Sequence, residues 1–189
     1  MQSKPIFRNV PQVLEVEYSG LKKIISGGQT GADQAGLFAA EEFGLETGGH
    51  MPAGFKTVHG DRAEFGPRFG MLVTESSQYP DRTKLNVQNA DATIRLASDF
   101  TTPGERLTLR FVNMMSKPSL SIRIDVEPDD MAVERCIQFL NTFDVQVLNV
   151  AGNADRGHKT YHFDSALSFL RKVLSRMEMR GQLIKKNIQ

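Results

Sequence analysis

The eight residues Ser26-Gly27-Gly28-Gln29-Thr30-Gly31-Ala32-Asp33 follow the run Lys22-Lys23-Ile24-Ile25 and lead into an alanine-rich stretch. A glycine turn between a strand and a helix start presents backbone N–H groups at the positive end of the helix dipole. That arrangement suits phosphate or another anion. One such turn alone is as often only a turn. Here polar, glycine-bearing stretches follow Ile25, Ala97 and Val150, each at the end of an apolar run. Ligands of open parallel sheets bind beyond the carboxyl ends of the strands, so the three stretches should meet at one edge. The chemistry expected is capture of a phosphorylated ligand. The loop is neither the dinucleotide G-x-G-x-x-G nor a P-loop, which needs a Gly-Lys-Ser/Thr ending.

Reactive side chains are sparse, and no nucleophile elbow is present. The single cysteine, Cys136, falls in a predicted helix, where a thiol packs as a small apolar residue. His158 and His162 are four apart, as two metal ligands on a helix would be, but they precede the closing helix, and no metal site is expected. His50 and His59 sit in a glycine-rich insert, where solvation is the ordinary state. His50, in Gly48-Gly49-His50-Met51-Pro52, belongs to a loop that should face the ligand.

These groups need a scaffold. Compact β-branched or apolar runs at 22–26, 92–98, 118–125 and 145–152 predict strands. Helical patterns lie between them, at 32–44, 81–91, 107–117 and 129–143, and a closing helix at 163–177 has Leu167, Leu170, Leu174 and Met177 as its stripe. Strands alternating with helices predict an α/β fold with a parallel sheet. Residues 46–80, rich in glycine, read as a long functional loop with one short helix. Residues 1–20 read as an N-terminal extension, 21–179 as one domain, and 180–189 as a basic, frayed tail.

The 189 residues suit a single domain that buries roughly 70% of its unfolded surface, enough to need no disulfide or metal staple. A net charge of +1 gives nucleic acid no basic field to follow. No apolar run approaches the ~20 residues of a membrane span, and the start lacks a signal peptide's apolar centre. With one unpaired cysteine, these features predict a cytoplasmic protein with no nucleic-acid or membrane partner.

The segments IISGGQTGADQAGL, GGHMPAGF, DRTKLNVQNADATI, TTPGERLTLRF, KPSLSIRID and VLNVAG occur in that order. In combination they resemble the molybdenum-cofactor carrier family, over residues 22 to 173. The resemblance implies a Rossmann-like, three-layer α/β/α fold related to the lysine-decarboxylase-like nucleotide-binding proteins. It also implies binding of the molybdenum cofactor (molybdopterin), a pterin dithiolene bearing a phosphate, and, with the Met114-Met115 pair, a homo-oligomer. By this likeness Gly27, Gly28, Gln29, Thr30, Gly31 and Asp33 line the pocket, with Gly49, His50, Pro52 and Gly54 from the second loop. Arg82, Thr83 and Asn86 match the family's Arg-Thr-x-x-Asn stretch. Thr102, Pro103, Gly104 and Thr108 match the loop that holds phosphate in relatives. Asn149, Ala151 and Gly152 match its last strand end.

The expected roles follow. Backbone N–H groups near Gly104 hold the phosphate, Thr30, Thr102 and Thr108 hydroxyls add hydrogen bonds, and Arg82 gives a bidentate contact. The bland alternatives are Arg82 pairing with Asp81, and Asp33 accepting from N–H groups at its helix start. The second loop reads Met51-Pro52-Ala53-Gly54-Phe55, where relatives carry a lysine and an arginine; Lys56 stands just beyond. Related phosphoribohydrolases use Pro-Gly-Gly-x-Gly-Thr-x-x-Glu. Here Arg110 or Phe111 stands at the carboxylate's place, leaving Glu105 as the remaining acid. The resemblance therefore favours a carrier, with a nucleotide- or nucleoside-phosphate-processing enzyme or a non-catalytic ligand sensor as alternatives.

Overall fold

The computed structural model describes residues 18–126, 130–157 and 161–186. Its strands are β1 (Lys23–Ser26), β2 (Glu46–Met51), β3 (Lys56–Thr57), β4 (Gly60–Asp61), β5 (Met71–Val73), β6 (Ala92–Ala97), β7 (Ser119–Arg123) and β8 (Val147–Gly152). Its α-helices are α1 (Ala32–Glu42), α2 (Phe65–Phe69), α3 (Tyr79–Asn89), α4 (Pro103–Met114), α5 (Asp130–Thr142) and α6 (Tyr161–Met179). Six strands form one sheet in the order β5-β2-β1-β8-β6-β7, every neighbouring pair parallel. Strands covered on both faces read as continuous apolar runs. β6 is buried at every residue, Thr93 and Arg95 included. α1 and α5 pack on α6 to one side, and α3 packs on α4 on the other, giving three layers.

The topology brings the glycine-bearing loops together. From β1 the chain runs outward through β2 to β5, crosses to β6 and β7, and returns to insert β8 between β1 and β6. The ends of β1, β8 and β6 are therefore neighbours at the point where the strand order reverses, the usual ligand position of such sheets.

Three regions differ from the sequence reading. Residues 46–80 are not a long loop. They hold β2, a single 3-10 turn at Ala53–Phe55, the β3–β4 hairpin, α2 and β5. Glu46-Thr47-Gly48-Gly49-His50-Met51 has no β-branched alternation. It is a strand because β1 offers it a parallel edge and Met51 buries with Leu37, Phe65, Phe69 and Met71. α4 starts at Pro103, four residues before its apolar stripe, because Thr102 caps it and proline suits the first turn. Residues 180–186 of the expected frayed tail pack against the body. Leu21 N–H donates to Gln182 O and Ile184 N–H to Leu21 O, both at 2.9 Å, and Leu183 packs on the core. Residues 1–17 of the expected extension lie outside the described residues. Among the described residues no helix is long and apolar enough to cross a membrane.

Candidate functional site

A cleft of about 550 Å³ opens at the carboxyl ends of β1, β8 and β6. Of the residues expected at the site, Gln29, Asp33, Arg82, Thr83, Thr102, Pro103, Gly104, Thr108, Ala151 and Gly152 line it. Others belong to the framework behind it. Thr30 and Gly31 face a smaller hollow beside Asp155 and Phe163. Gly31 has φ of 82°, and a Cβ there would stand 2.2 Å from the Asn153 carbonyl oxygen, so only glycine fits that crossing. Gly28 lies against Met51, and Gly49 against the Ser26 backbone. Pro52 stands at the N-cap of the 3-10 turn and Gly54 within it. Asn149 donates from Nδ2 to Thr93 Oγ1 at 3.2 Å, inside the sheet. Asn86 accepts from His50 N–H at 2.8 Å and donates to His50 O at 3.0 Å, tying α3 to β2. His50 does not face the cleft. Burial of its ring lowers its pKa, and Nδ1 is buried without a hydrogen-bond partner.

The first wall is built around an ion pair. Arg82 Nη1 donates to Asp33 Oδ2 at 3.1 Å, and the Gln29 N–H reaches the same oxygen at 3.3 Å. A Cβ on Gly27 would stand 1.7 Å from Arg82 Nη1, so the pair rests directly on the backbone at the end of β1. Arg82 thus takes neither Asp81 nor an open position. Its charge is matched by Asp33, whose burial raises its pKa against the pull of the guanidinium. Gln29 accepts from Thr30 N–H and Val58 N–H, both at 2.9 Å, and fastens the β3–β4 hairpin over the loop.

The threonine hydroxyls are engaged with backbone. Thr30 Oγ1 donates to Asp155 O at 2.8 Å, Thr108 Oγ1 donates to Gly104 O at 3.0 Å, and Thr102 Oγ1 accepts from Glu105 N–H at 3.4 Å. Glu105, the acid left open by the sequence, is 2% exposed. It faces Arg95 Nη1 at 3.3 Å beneath α4, outside the cleft, and burial pushes its pKa up to about 7.

The second wall was missed by the sequence reading. Ser98, Asp99, Asn153, Arg156 and His162 line it. Asn153 Oδ1 accepts from Ser98 N–H at 3.0 Å and Asp99 N–H at 2.9 Å, while Nδ2 donates to Asp99 O at 2.9 Å. Asp155 caps α6, accepting from His162 N–H at 2.8 Å and Phe163 N–H at 2.9 Å. His162 Nδ1 lies 3.0 Å from Asp155 Oδ1, and Nε2 lies 2.9 Å from Ser98 Oγ. An asparagine and an aspartate directly after the last strand were the available signal. His158, the other half of the His-x-x-x-His spacing, lies outside the described residues. Among the described residues no group of three or more His, Cys, Asp or Glu side chains is placed to hold a metal ion. Cys136 is fully buried in α5, and burial pushes its thiol up to about 12.

A parallel sheet with helices on both faces, and a ligand-sized cleft at its switch point, defines a Rossmann-like protein of the three-layer type. The chain belongs to the circularly permutated YpsA SLOG family, which it matches over residues 24–174. Among solved structures it is similar to a putative molybdenum carrier protein from Syntrophus aciditrophicus SB. The two are 30% identical, with a TM-score of 0.75 over 82% of this chain and 96% of that one. No curated protein matches the chain.

Proposed function

We propose that the cleft binds a phosphorylated pterin of the molybdenum-cofactor type and that the chain acts as its carrier. The observation that carries this reading is the convergence of the α4 N-terminus, Tyr79 and Arg82 on one cleft. Its volume of about 550 Å³ is in the range of small-molecule sites. At the first turn of α4 Pro103 has no N–H and the Glu105 N–H is held by Thr102 Oγ1, so the Gly104 N–H and the positive dipole end are what α4 offers a phosphate. Tyr79, Pro80 and Leu107 offer apolar surface to a flat ring. The likeness to a molybdenum carrier points the same way. When bound, the cofactor would bring molybdenum on its own dithiolene sulfurs. The part left to this chain is to hold the pterin and phosphate. The nucleoside-phosphate hydrolase alternative is disfavoured, because Glu105 turns away from the cleft.

Gly104→Asp tests the reading. A Cβ at Gly104 meets nothing within 4 Å, and an acidic residue in a first helical turn favours the helix. The fold should survive while an anion is repelled. In thermal-shift titrations a pterin phosphate should raise the Tm of the parent protein, as binding to the native state requires. The shift should vanish in Gly104→Asp. No shift in the parent, or an equal shift in the variant, overturns the proposal. A shift with AMP or NAD alone would favour the nucleotide reading.

A further inference from the structure

We propose that Ser98, His162 and Asp155 form a nucleophile relay opening on the cleft, and that this chain cleaves acyl esters there through an acyl-Ser98 intermediate. The inference rests on side-chain geometry alone and does not depend on the pterin reading.

The hydrogen bonds fix the direction of the relay. Asp155 is 4% exposed at its side chain and, as a carboxylate, only accepts. The 3.0 Å contact between its Oδ1 and His162 Nδ1 therefore places the imidazole proton on Nδ1. In the neutral imidazole Nε2 is then an acceptor, and its neighbour at 2.9 Å is the Ser98 hydroxyl. That hydroxyl has a second acceptor within reach, Asn153 Oδ1 at 3.2 Å. The amide oxygen already receives two shorter N–H bonds, from Ser98 and Asp99. Of the two acceptors, His162 Nε2 is the nearer and the less occupied, and the proposed relay gives it the Ser98 proton. A hydroxyl donating to an imidazole that is oriented by a buried carboxylate is the arrangement of an activated serine.

The placement agrees with that chemistry. Ser98 directly follows β6, which pairs with β8, and both Ser98 and His162 line the cleft. Asp155 and His162 come from the segment after the neighbouring strand β8. The chain order Ser, Asp, His is that of the α/β-hydrolases, although no glycine elbow carries this serine. The imidazole is not required as a clamp. Asn153 already holds the β6–α4 loop, and Asp155 already caps α6 through two backbone N–H groups.

The reaction balances within the site. Ser98 Oγ attacks the acyl carbon while its proton passes to His162 Nε2. Negative charge builds on the carbonyl oxygen, in a cleft that also holds the α4 N-terminus and Arg156. The C–O bond to the leaving alcohol then breaks, and His162 returns the proton to that oxygen. Water repeats the sequence on the Ser98 ester and releases a carboxylic acid. One ester and one water yield one acid and one alcohol.

The test uses the full chain with two probes, diisopropyl fluorophosphate and p-nitrophenyl acetate. The fluorophosphate should add once per chain, at Ser98 by peptide mapping, and not at all in Ser98→Ala. Ester hydrolysis should fall roughly 10²–10⁴-fold in Ser98→Ala and in His162→Gln. Circular dichroism and Tm keep a folding defect apart from a catalytic one, and Ser98 is only half-buried. Absence of an adduct on the folded parent protein overturns the proposal. So does an adduct at another residue that persists in Ser98→Ala. Hydrolysis by folded Ser98→Ala within about twofold of the parent also overturns it, since unrelated surface groups would then account for the turnover.

Discussion

On the β1–α1 side of the cleft, the charged groups answer one another. Arg82 faces Asp33, Asp33 also takes the Gln29 N–H, and the glutamine fastens the hairpin above. On the β6–β8 side, the polar groups form a chain that ends on a hydroxyl at the cleft, itself 3.2 Å from Asn153 Oδ1. Asp155 orients His162, and His162 turns an acceptor nitrogen towards a hydroxyl at the cleft. Both walls are polar side chains held by hydrogen bonds around buried anchors, Asp33 in the first and Asn153 and Asp155 in the second. A closed pair fixes shape and cancels charge, whereas an open relay leaves one atom more reactive than its type. The first wall therefore fixes the shape of the cleft, and the second carries the relay proposed above.

The largest expected effect breaks the first wall. Arg82→Ala leaves the Asp33 carboxylate buried and unpaired, with side-chain exposure of only 4%. Loss of one partner of a buried pair costs roughly 3–5 kcal/mol. Urea denaturation should show that loss, and adding Asp33→Asn should restore more than half of it. If Arg82→Ala were neutral, the pair would not be the fixed element of this wall.

The next effect concerns the buried pair beneath the second wall, Arg95 with Glu105. Burial raises the Glu105 pKa from 4.5 to about 7. The native state then holds that proton more tightly than the unfolded chain. The associated stability is fully present below pH 4.5 and is lost as the pH rises through about 7. A shift of this size corresponds to about 3 kcal/mol. The stability difference between the parent and Glu105→Gln, measured by denaturation at a series of pH values, should decline across that window. A flat difference would show that Arg95 holds the carboxylate ionised throughout.

The smallest effect sharpens the contrast. Asn153→Ala removes the acceptor for two backbone N–H groups and the donor to Asp99 O. Unsatisfied groups of this kind cost about 2 kcal/mol in total where water reaches the loop. Fluorophosphate labelling of Ser98 should fall along with stability, while the Gly104-dependent pterin phosphate shift should change less. Equal losses in both assays would mean that the two walls act as one unit.

The legible parts share a physical property: their signals are local. The apolar runs of β1, β6 and β8, the glycine turn before α1 and the stripe of α6 all specify their state within a few residues. β2 was illegible because Gly48 and Gly49 have no strand preference of their own, and β1 supplies the edge that makes them one. Likewise Asn149 and Asn86 look like ligand groups in sequence, but their partners Thr93 and His50 lie far along the chain.

The sequence by itself determined the alternating α/β scaffold and the loops that would gather at one sheet edge, since periodicity and glycine placement act over short range. Only the tertiary structure decided which polar residues face the cleft. Inserting β8 between β1 and β6 brings Asp155 and His162 beside Ser98, more than fifty residues away along the chain. The same folding turns Glu105 inward to Arg95. A side chain's chemistry depends on its burial and its partner, and both are set by which strands become neighbours.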